Sequence, residues 1–416
     1  MQKKAIQIIL VAALLILTAG TAFAVGFGTS MLLQRRMETA VVTPAPSSTP
    51  SPTETPFVPP TPARPEEETF QLFWEVWQIV KENYYGDLPD MQTVTYGAIR
   101  GMLETLGDEY TSFIEPDIAA ILEEDASGSF QGIGAFVQMR EDGKLEIVSV
   151  IEGSPAEAAG LQGGDLVVAV DGQSIVGYSL YEAIILIRGP AGTDVTLTIE
   201  RPGQEGTFDV TVTRARIEIP VVEWEMRDDG IGYVHLREFS AVATDQLEEA
   251  LRQILAEHPK GLILDLRDNP GGWLDQAIQV ADLFLGDGVV LIERSYEGEE
   301  IFRSYDGDIA EDVPLVVLVN GGSASASEIV AGAIQARDRG ILLGEQTLGK
   351  GSVQRPYRLS DGSELRVTIA RWYTPDDVAI HGQGLTPDIE VPFPEDTPPG
   401  EDPQLDRAVE YLLTGE

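Results

Sequence analysis

The chain has 416 residues, which is room for two or three domains of ordinary size. It carries 68 acidic and 28 basic residues, so its formal net charge is −40. Such a surface repels phosphates, which excludes nucleic acid as an expected partner and argues against binding to anionic lipid surfaces. The chain contains no cysteine, which excludes a disulfide framework, a thiol nucleophile and a Cys-based zinc site. We expect no metal and no cofactor.

Residues 1–36 have the features of a membrane-targeting segment. Two lysines near the start precede an uncharged, largely apolar run from Ala5 to Gln34, and two arginines close it. The run is long enough to span a bilayer and therefore predicts an uncleaved anchor. An A-x-A signal that ends at Ala24 is the alternative and would release a secreted protein. Either outcome places the rest of the chain outside the cytoplasm.

Residues 37–65 form a linker that is rich in proline, threonine and serine. Such a composition cannot build a core and favours extended polyproline conformations. The linker is thus predicted to be a stalk, which suits a protein that is anchored at one end.

Residues 66–127 are predicted to form a helical N-terminal domain. Aromatic residues such as Phe70, Trp74 and Trp77 recur near helical spacing. We interpret them as a helix core rather than as a binding site.

Residues 128–216 alternate strand-like runs with glycine-rich turns and resemble a PDZ domain of the bacterial protease type. The quartet Gly132, Ile133, Gly134 and Ala135 forms a turn that leads into a strand. Successive N–H groups in such a turn can bind a peptide's C-terminal carboxylate while the peptide adds a strand to the sheet. The alternative is that these glycines only permit a tight turn.

Residues 217–396 alternate strands with helices, which predicts an α/β core around a largely buried sheet. Residues 397–416 are interpreted as a C-terminal tail. The expected fold class is therefore multidomain α+β, with an N-terminal helical segment, a β-sandwich-like PDZ domain and an α/β core.

Ser325 is a candidate nucleophile because it lies where a buried strand turns into a helix. The helix N-terminus there supplies free N–H groups and positive potential for a developing oxyanion. Alternatively, Ser325 or Ser327 only caps the helix, and Glu328 completes the capping box as a helix-start charge.

Lys350 follows Ser325 by 25 residues and stands between Gly349 and Gly351. A serine hydroxyl needs a base, and a lysine can be that base if burial lowers its pKa. The chain has only three histidines, and none of them is well placed for a Ser–His site.

Two other motifs are set aside. Residues 344–351 approach a phosphate-loop pattern, but glycine replaces the final hydroxyl residue and a strand-like run with a proline follows. Asp265 and Asp268 could suggest a carboxylate or metal site, but a salt bridge with Arg267 is the safer interpretation.

The chain resembles the carboxyl-terminal processing peptidase family, the tail-specific serine proteases, from about residue 70 to 392. The motifs that carry the resemblance are YVHLREFS (233–240), LDLRDNPGG (264–272), VNGGSASASEIVAGA (319–333) and GKGSVQ (349–354). The resemblance implies a crotonase-like α/β core in which Ser325 is the nucleophile and Lys350 the general base. It further implies that Gln354 hydrogen-bonds to the lysine and orients it. The resemblance also implies that N–H groups of Ala326 and of Gly271, or alternatively Gly272, bind the oxyanion.

The family also implies that the PDZ domain captures polypeptide substrates by apolar C-termini and gates the active site. A homo-oligomer or an activating partner is a further possibility. Two positions depart from the family's pattern: Leu348 replaces an aromatic residue, and Ala336 replaces an aspartate found in some members.

Two rival functions remain open on the sequence. One is an inert, membrane-tethered PDZ scaffold, against which the intact Ser325, Lys350 and Gln354 argue. The other is an acyl-CoA-handling enzyme on a related α/β core, against which the PDZ segment and the export signal argue.

Overall fold

The computed structural model describes residues 65–394, 397–398 and 400–415. The predicted anchor at 1–36 and the predicted stalk, apart from Pro65, lie outside the described residues. Within those ranges no helix combines the length and the apolar character that crossing a bilayer requires. The described residues divide into two units between Leu88 and Pro89.

The described part of the first unit, residues 65–88, contains helix α1 (Pro65–Asn83). The predicted helix is therefore present, and the rings of Phe70 and Phe73 stack within it at a centroid distance of 5.2 Å. The burial that we expected for its aromatic side chains is not observed, because Phe70 and Trp74 are 54% and 51% exposed. Helical spacing of apolar residues predicted the helix correctly, but it could not say what covers its apolar face.

The second unit contains the remaining elements. Its helices are α2 (Met91–Glu104), α3 (Pro116–Ala126), α4 (Pro155–Ala158), α5 (Leu180–Ile187), α6 (Ala243–Ala256), α7 (Leu274–Asp282), α8 (Ala326–Ala336) and α9 (Pro403–Thr414). Its strands are β1 (Ser112–Ile114), β2 (Ser129–Gly132), β3 (Ala135–Met139), β4 (Leu145–Val150), β5 (Leu166–Val170), β6 (Gln173–Ser174), β7 (Asp194–Glu200), β8 (Thr207–Thr213), β9 (Ala215–Glu218), β10 (Val222–Met226), β11 (Ile231–Leu236), β12 (Gly261–Asp265), β13 (Gly288–Ser295), β14 (Gly298–Ser304), β15 (Leu315–Val319), β16 (Ile341–Gly344), β17 (Ser352–Arg358), β18 (Glu364–Tyr373) and β19 (Ile389–Glu390).

The PDZ module is an antiparallel sheet in the order β3-β4-β5-β7-β8, with β6 paired to β5. Alternate residues of its strands point into one core, in which Ile147, Val195 and Leu197 are fully buried. Strands β2 and β9 pair antiparallel where the chain enters and leaves the module.

The core sheet has the order β10-β11-β12-β15-β16-β19, and every neighbouring pair after β10-β11 is parallel. All residues of β12 and β15 are buried, because helices cover both faces as a parallel sheet requires. Helices α6, α7 and α8 pack in a hydrophobic cluster on one face of the sheet. Helix α9 packs in a second hydrophobic cluster on the other face. The predicted α/β core with a buried sheet is confirmed.

The carboxyl ends of the parallel strands meet at one edge of this sheet, where α/β proteins usually bind ligands. The loops after β11, β12 and β15 all lie at that edge. A second, antiparallel sheet in the order β1-β18-β13-β14, with β17 added to β18, carries the segment after Lys350.

The segment interpreted as a tail carries helix α9. Ala408 is fully buried against the core sheet, and the Asp402 carboxylate caps the helix by accepting hydrogen bonds from two N–H groups of its first turn. Residues 402–414 thus belong to the packed structure of the core.

Candidate active site

Ser325 lies at a strained turn between β15 and α8. Its backbone has φ 55° and ψ −112°, a combination that is costly for any residue with a side chain. The same sharp strand-to-helix turn presents the serine of nucleophile-elbow enzymes, although this chain lacks their G-x-S-x-G sequence. Ser325 is 8% exposed, so a small part of it is accessible. The predicted junction is confirmed, and its strain is a property that the sequence did not reveal.

The carboxylate of Glu328 connects the serine segment to the lysine segment. It accepts hydrogen bonds from the N–H groups of Ser325 (2.9 Å), Gly349 (2.7 Å) and Lys350 (2.9 Å) and from the hydroxyl of Thr347 (2.5 Å). The side chain is fully buried, and burial raises its pKa although these hydrogen bonds oppose the rise. Glu328 does stand at the start of its helix, as expected, and it also joins two loops.

Lys350 is partly buried. Burial lowers the pKa of its amine, the nearby guanidinium of Arg366 lowers it further, and Glu328 acts in the opposite direction. The lysine Nζ lies 5.5 Å from the centroid of the Tyr110 ring. Because Ser325 and Lys350 donate to the same Glu328 oxygen, their backbone nitrogens are separated by at most twice 2.9 Å. Leu348, the departure from the family's aromatic residue, is 59% exposed.

Gly271 packs directly against the nucleophile segment. Its φ is 101°, and a methyl group there would lie 2.7 Å from Ser325 Cβ and 2.8 Å from the Ala326 nitrogen. Only glycine fits this approach. Ala326 is the first residue of α8, so its N–H has no acceptor inside the helix. The structure thus brings together three of the residues predicted for nucleophile and oxyanion hole.

The N–H of Gly271 donates to Oδ1 of Asn269 over 2.9 Å. A methyl group on Gly272 would lie 2.3 Å from the carbonyl oxygen of Phe239, so this glycine is also required by packing. The choice between the two glycines as oxyanion donor stays open.

Asn269 is a structural member of the site that sequence analysis missed. Its side chain is fully buried and donates from Nδ2 to the carbonyl of Leu236 over 2.7 Å. Its own carbonyl accepts from the N–H of Ala324 and from the hydroxyl of Ser327. Asn269 therefore ties together the loops that follow β11, β12 and β15. The available sequence signal was an asparagine four residues after the end of the apolar run of β12.

Gln354 lies on β17, and its amide donates to the hydroxyls of Ser352 (2.8 Å) and Thr368 (3.3 Å). The expected hydrogen bond between Gln354 and Lys350 is not formed in this structure. A role for Gln354 in orienting the lysine stays a prediction.

The PDZ quartet has the predicted turn. Gly132 ends β2, Ala135 begins β3, and Gly134 has φ 82°. A methyl group on Gly134 would lie 2.4 Å from Ser154 Cβ, so packing and backbone both demand glycine. Ile133 is buried, and its carbonyl accepts from the N–H of Ala156.

Asp265 forms the ion pair that the sequence favoured. Its carboxylate lies 2.6 Å from an Arg267 nitrogen, and the same guanidinium also binds Asp402 at 2.8 Å. Tyr233 donates to Asp265 over 2.8 Å. The residues after Lys350 form strand β17, as the sequence predicted, and not the helix that follows a phosphate loop.

Both the protease core and the PDZ module match known protein families. Residues 230–391 match peptidase family S41, and residues 146–201 match the PDZ domain. A carboxy-terminal-processing protease of Bartonella bacilliformis is 41% identical over 332 residues, covering 78% of this chain and 75% of that protein. The carboxy-terminal processing protease CtpA of Bacillus subtilis is 38% identical, covering 77% and 68%. The solved structure of a photosystem II D1 C-terminal processing protease is 32% identical, with a TM-score of 0.50, covering 84% of this chain and 98% of that chain.

A strained serine above a parallel sheet, with a PDZ module alongside, defines a PDZ-bearing serine peptidase. The chain belongs to peptidase family S41 and is a carboxy-terminal processing protease.

Proposed function

We propose that Ser325 and Lys350 form the catalytic pair of this protease. The neutral amine of Lys350 accepts the proton of the Ser325 hydroxyl while the serine oxygen attacks the substrate's peptide carbonyl. The resulting ammonium then gives its proton to the leaving amine, and water hydrolyses the acyl-enzyme. The observation that carries this proposal is the single Glu328 carboxylate, which accepts from the backbones of both residues.

The oxyanion is proposed to bind the N–H of Ala326 together with that of Gly271 or Gly272. Close packing of Gly271 on Ser325 and Ala326 supports Gly271. The hydrogen bond from its N–H to Asn269 would have to be exchanged for the oxyanion, which favours Gly272 as the alternative.

The PDZ module is proposed to capture the C-termini of unfolded polypeptides, with the carboxylate at the Gly132–Ala135 turn. Strand β3, which follows the turn, is the terminal strand of the sheet, and its outer edge supports capture of a peptide as an added strand. Apolar tails are the proposed ligands, as the family resemblance implies. Attachment of the PDZ module to the helical segment before it is supported by Arg188, directly after α5, which binds Asp125 (2.6 Å) and Glu124 (3.3 Å) of α3.

The site of action is proposed to be extracytoplasmic. The apolar segment at 1–36 and the stalk after it support a membrane-anchored enzyme, and cleavage near Ala24 would give a secreted one. The net charge of −40 supports polypeptides rather than nucleic acid as partners. A homo-oligomer or an activating partner fits the same proposal.

Cleavage of an unfolded protein with an apolar tail tests the pair. The full chain in detergent should cleave it, and the Ser325→Ala and Lys350→Ala variants should not. Cleavage by Ser325→Ala would eliminate this nucleophile. A substrate with an amidated C-terminus should be captured more slowly, and equal rates for free and amidated tails would eliminate the carboxylate site at the PDZ turn.

A further inference from the structure

The loop before β1 reaches the catalytic centre from more than two hundred residues away in sequence. Tyr110 of this loop places its ring 5.5 Å from Lys350 Nζ. The same ring meets the imidazole of His381 edge-on, with a centroid distance of 5.8 Å and an interplanar angle of 70°. Tyr110 is thus held between the lysine and a second loop of the core.

The loop is anchored so that the ring stays in this position. Asp108 accepts from the N–H of Tyr110 (3.3 Å) and from the hydroxyl of Thr111 (2.6 Å). The Thr111 hydroxyl oxygen in turn accepts from the N–H of Thr368 on β18 (3.1 Å). Strand β1 continues the attachment by pairing with β18, Ser112 opposite Arg366.

The loop that carries His381 packs closely on residues 349–351 around Lys350. A methyl group on Gly351 would lie 2.3 Å from the His381 backbone nitrogen. The N–H of Gly382 donates to the carbonyl of Gly349 over 2.8 Å. This loop therefore contacts Gly349 and Gly351, the glycines on both sides of Lys350. Nδ1 of His381 is buried and has no hydrogen-bond partner in the described part of the chain.

We propose that Tyr110 is a positioning residue of this protease, whose ring forms an apolar wall that excludes water from the amine of Lys350. This proposal rests on the proposed role of Lys350 as the general base. The ring acts on the lysine in two opposite ways. By excluding water it disfavours the ammonium, whereas the negative face of its π-system favours the ammonium. Burial is the largest influence on Lys350 and lowers its pKa. We take the Tyr110 ring, which lies 5.5 Å from Nζ, as one source of that burial.

Other charged groups near the lysine also influence its pKa. Glu328 of α8 favours the ammonium, and Arg366 of β18 disfavours it. His381, behind Tyr110, has a pKa lowered first by burial and then by Arg371, with Asp108 opposing. These groups remain in place in every variant of Tyr110.

The test is the pH dependence of kcat/KM in three variants of the full chain. Tyr110→Ala admits water, so the midpoint of the rise with pH should move upward and the rate at neutral pH should fall about tenfold. The rate at the alkaline plateau should change far less. Tyr110→Phe should keep the pH profile of the parent, because its ring fills the same space. Tyr110→Leu keeps an apolar wall without the aromatic face, so its midpoint should lie at or below that of the parent.

Tyr296→Ala is the matched control, because Tyr296 is fully exposed between β13 and β14. If the pH midpoint of kcat/KM in Tyr110→Ala equals that of the parent, the proposal is overturned. Equal upward shifts of this midpoint in the alanine and leucine variants would also overturn it. Lys350→Ala separates this failure from that of the catalytic pair. If Lys350→Ala is inactive at every pH while Tyr110→Ala keeps the parent midpoint, only the wall is disproved; if Lys350→Ala stays active, the base itself is disproved.

Discussion

The backbone N–H groups of Ser325 and Lys350 donate to the same carboxylate oxygen, Oε2 of Glu328, each over 2.9 Å. The other oxygen of this buried side chain accepts from Gly349 and Thr347. One residue thus sets the position of the nucleophile relative to the base.

Replacing Glu328 with glutamine should reduce kcat strongly. The amide offers one acceptor oxygen and a pair of donors, so some of the four donors around it lose their partner. Each unsatisfied group costs about 1–3 kcal/mol of stability. A displacement of the catalytic groups by a fraction of an ångström should lower kcat roughly 10- to 100-fold. Steady-state kinetics and thermal unfolding measure the two effects.

Glu141→Gln is the matched control, because Glu141 is exposed. It should leave both kcat and Tm within error of the parent. Parent-like kcat in Glu328→Gln would show that the shared carboxylate does not position the pair.

Much of the architecture could be predicted from the sequence. Strands β12 and β15 are continuous apolar runs, which is the pattern of a sheet buried on both faces. The turn into α8 was predictable because small residues and a hydroxyl follow β15 directly. Local patterns of this kind suffice where the neighbouring residues in sequence are also the neighbours in space.

Contacts between distant segments were not predictable. A glutamate three residues after a cap residue indicates a capping box, and nothing in that spacing shows that Glu328 also receives hydrogen bonds from residues 347–350. Tyr110 reaches Lys350 through the pairing of β1 with β18 and the hydrogen bond from Thr368 to Thr111. Helix α9 is tied to the core at its start by Arg267, which is distant in sequence.

The strained backbone of Ser325 predicts that Ser325→Gly is more stable than the parent. Glycine adopts φ 55° and ψ −112° without the steric cost of a side chain. The gain in the free energy of unfolding should be about 1 kcal/mol. Urea denaturation measures it, with Ser325→Ala as the comparison because alanine keeps the strain. Both variants should be inactive. A glycine variant less stable than the alanine variant would contradict the presence of strain.

The activity of the enzyme should rise with pH as Lys350 loses its proton. A lysine acts as a base only when neutral, and burial followed by the charge of Arg366 lowers the pKa of this one from its ordinary 10.5. The neutral form therefore appears at lower pH than in an exposed lysine, and the midpoint of the kcat/KM profile should lie below 10.5. Lys350→Arg should be inactive throughout, because arginine does not deprotonate in this range. A midpoint at or above the ordinary lysine value would contradict a desolvated base.

Asp402 should stabilise the core through Arg267, in a way that depends on pH. Burial raises the pKa of Asp402, but hydrogen bonds from Arg267 and the N–H of Leu405 hold it below its usual 3.8. A carboxylate with a depressed pKa contributes stability that is complete above the unfolded-state value and is lost as pH falls through the folded-state value. Asp402→Asn should therefore cost about 1–2 kcal/mol at neutral pH, since the pair is only partly buried.

The difference between Asp402→Asn and the parent should shrink as the pH drops below 3.8. Asp406→Asn is the control on the same helix, where the side chain is exposed. Chemical denaturation from pH 3 to pH 7 follows both variants. Equal stability of Asp402→Asn and the parent at every pH would mean that Asp402 acts through the cap of α9 alone, since an asparagine can accept the same N–H hydrogen bonds. A loss of stability that does not change with pH would contradict a role for the charge that pairs with Arg267.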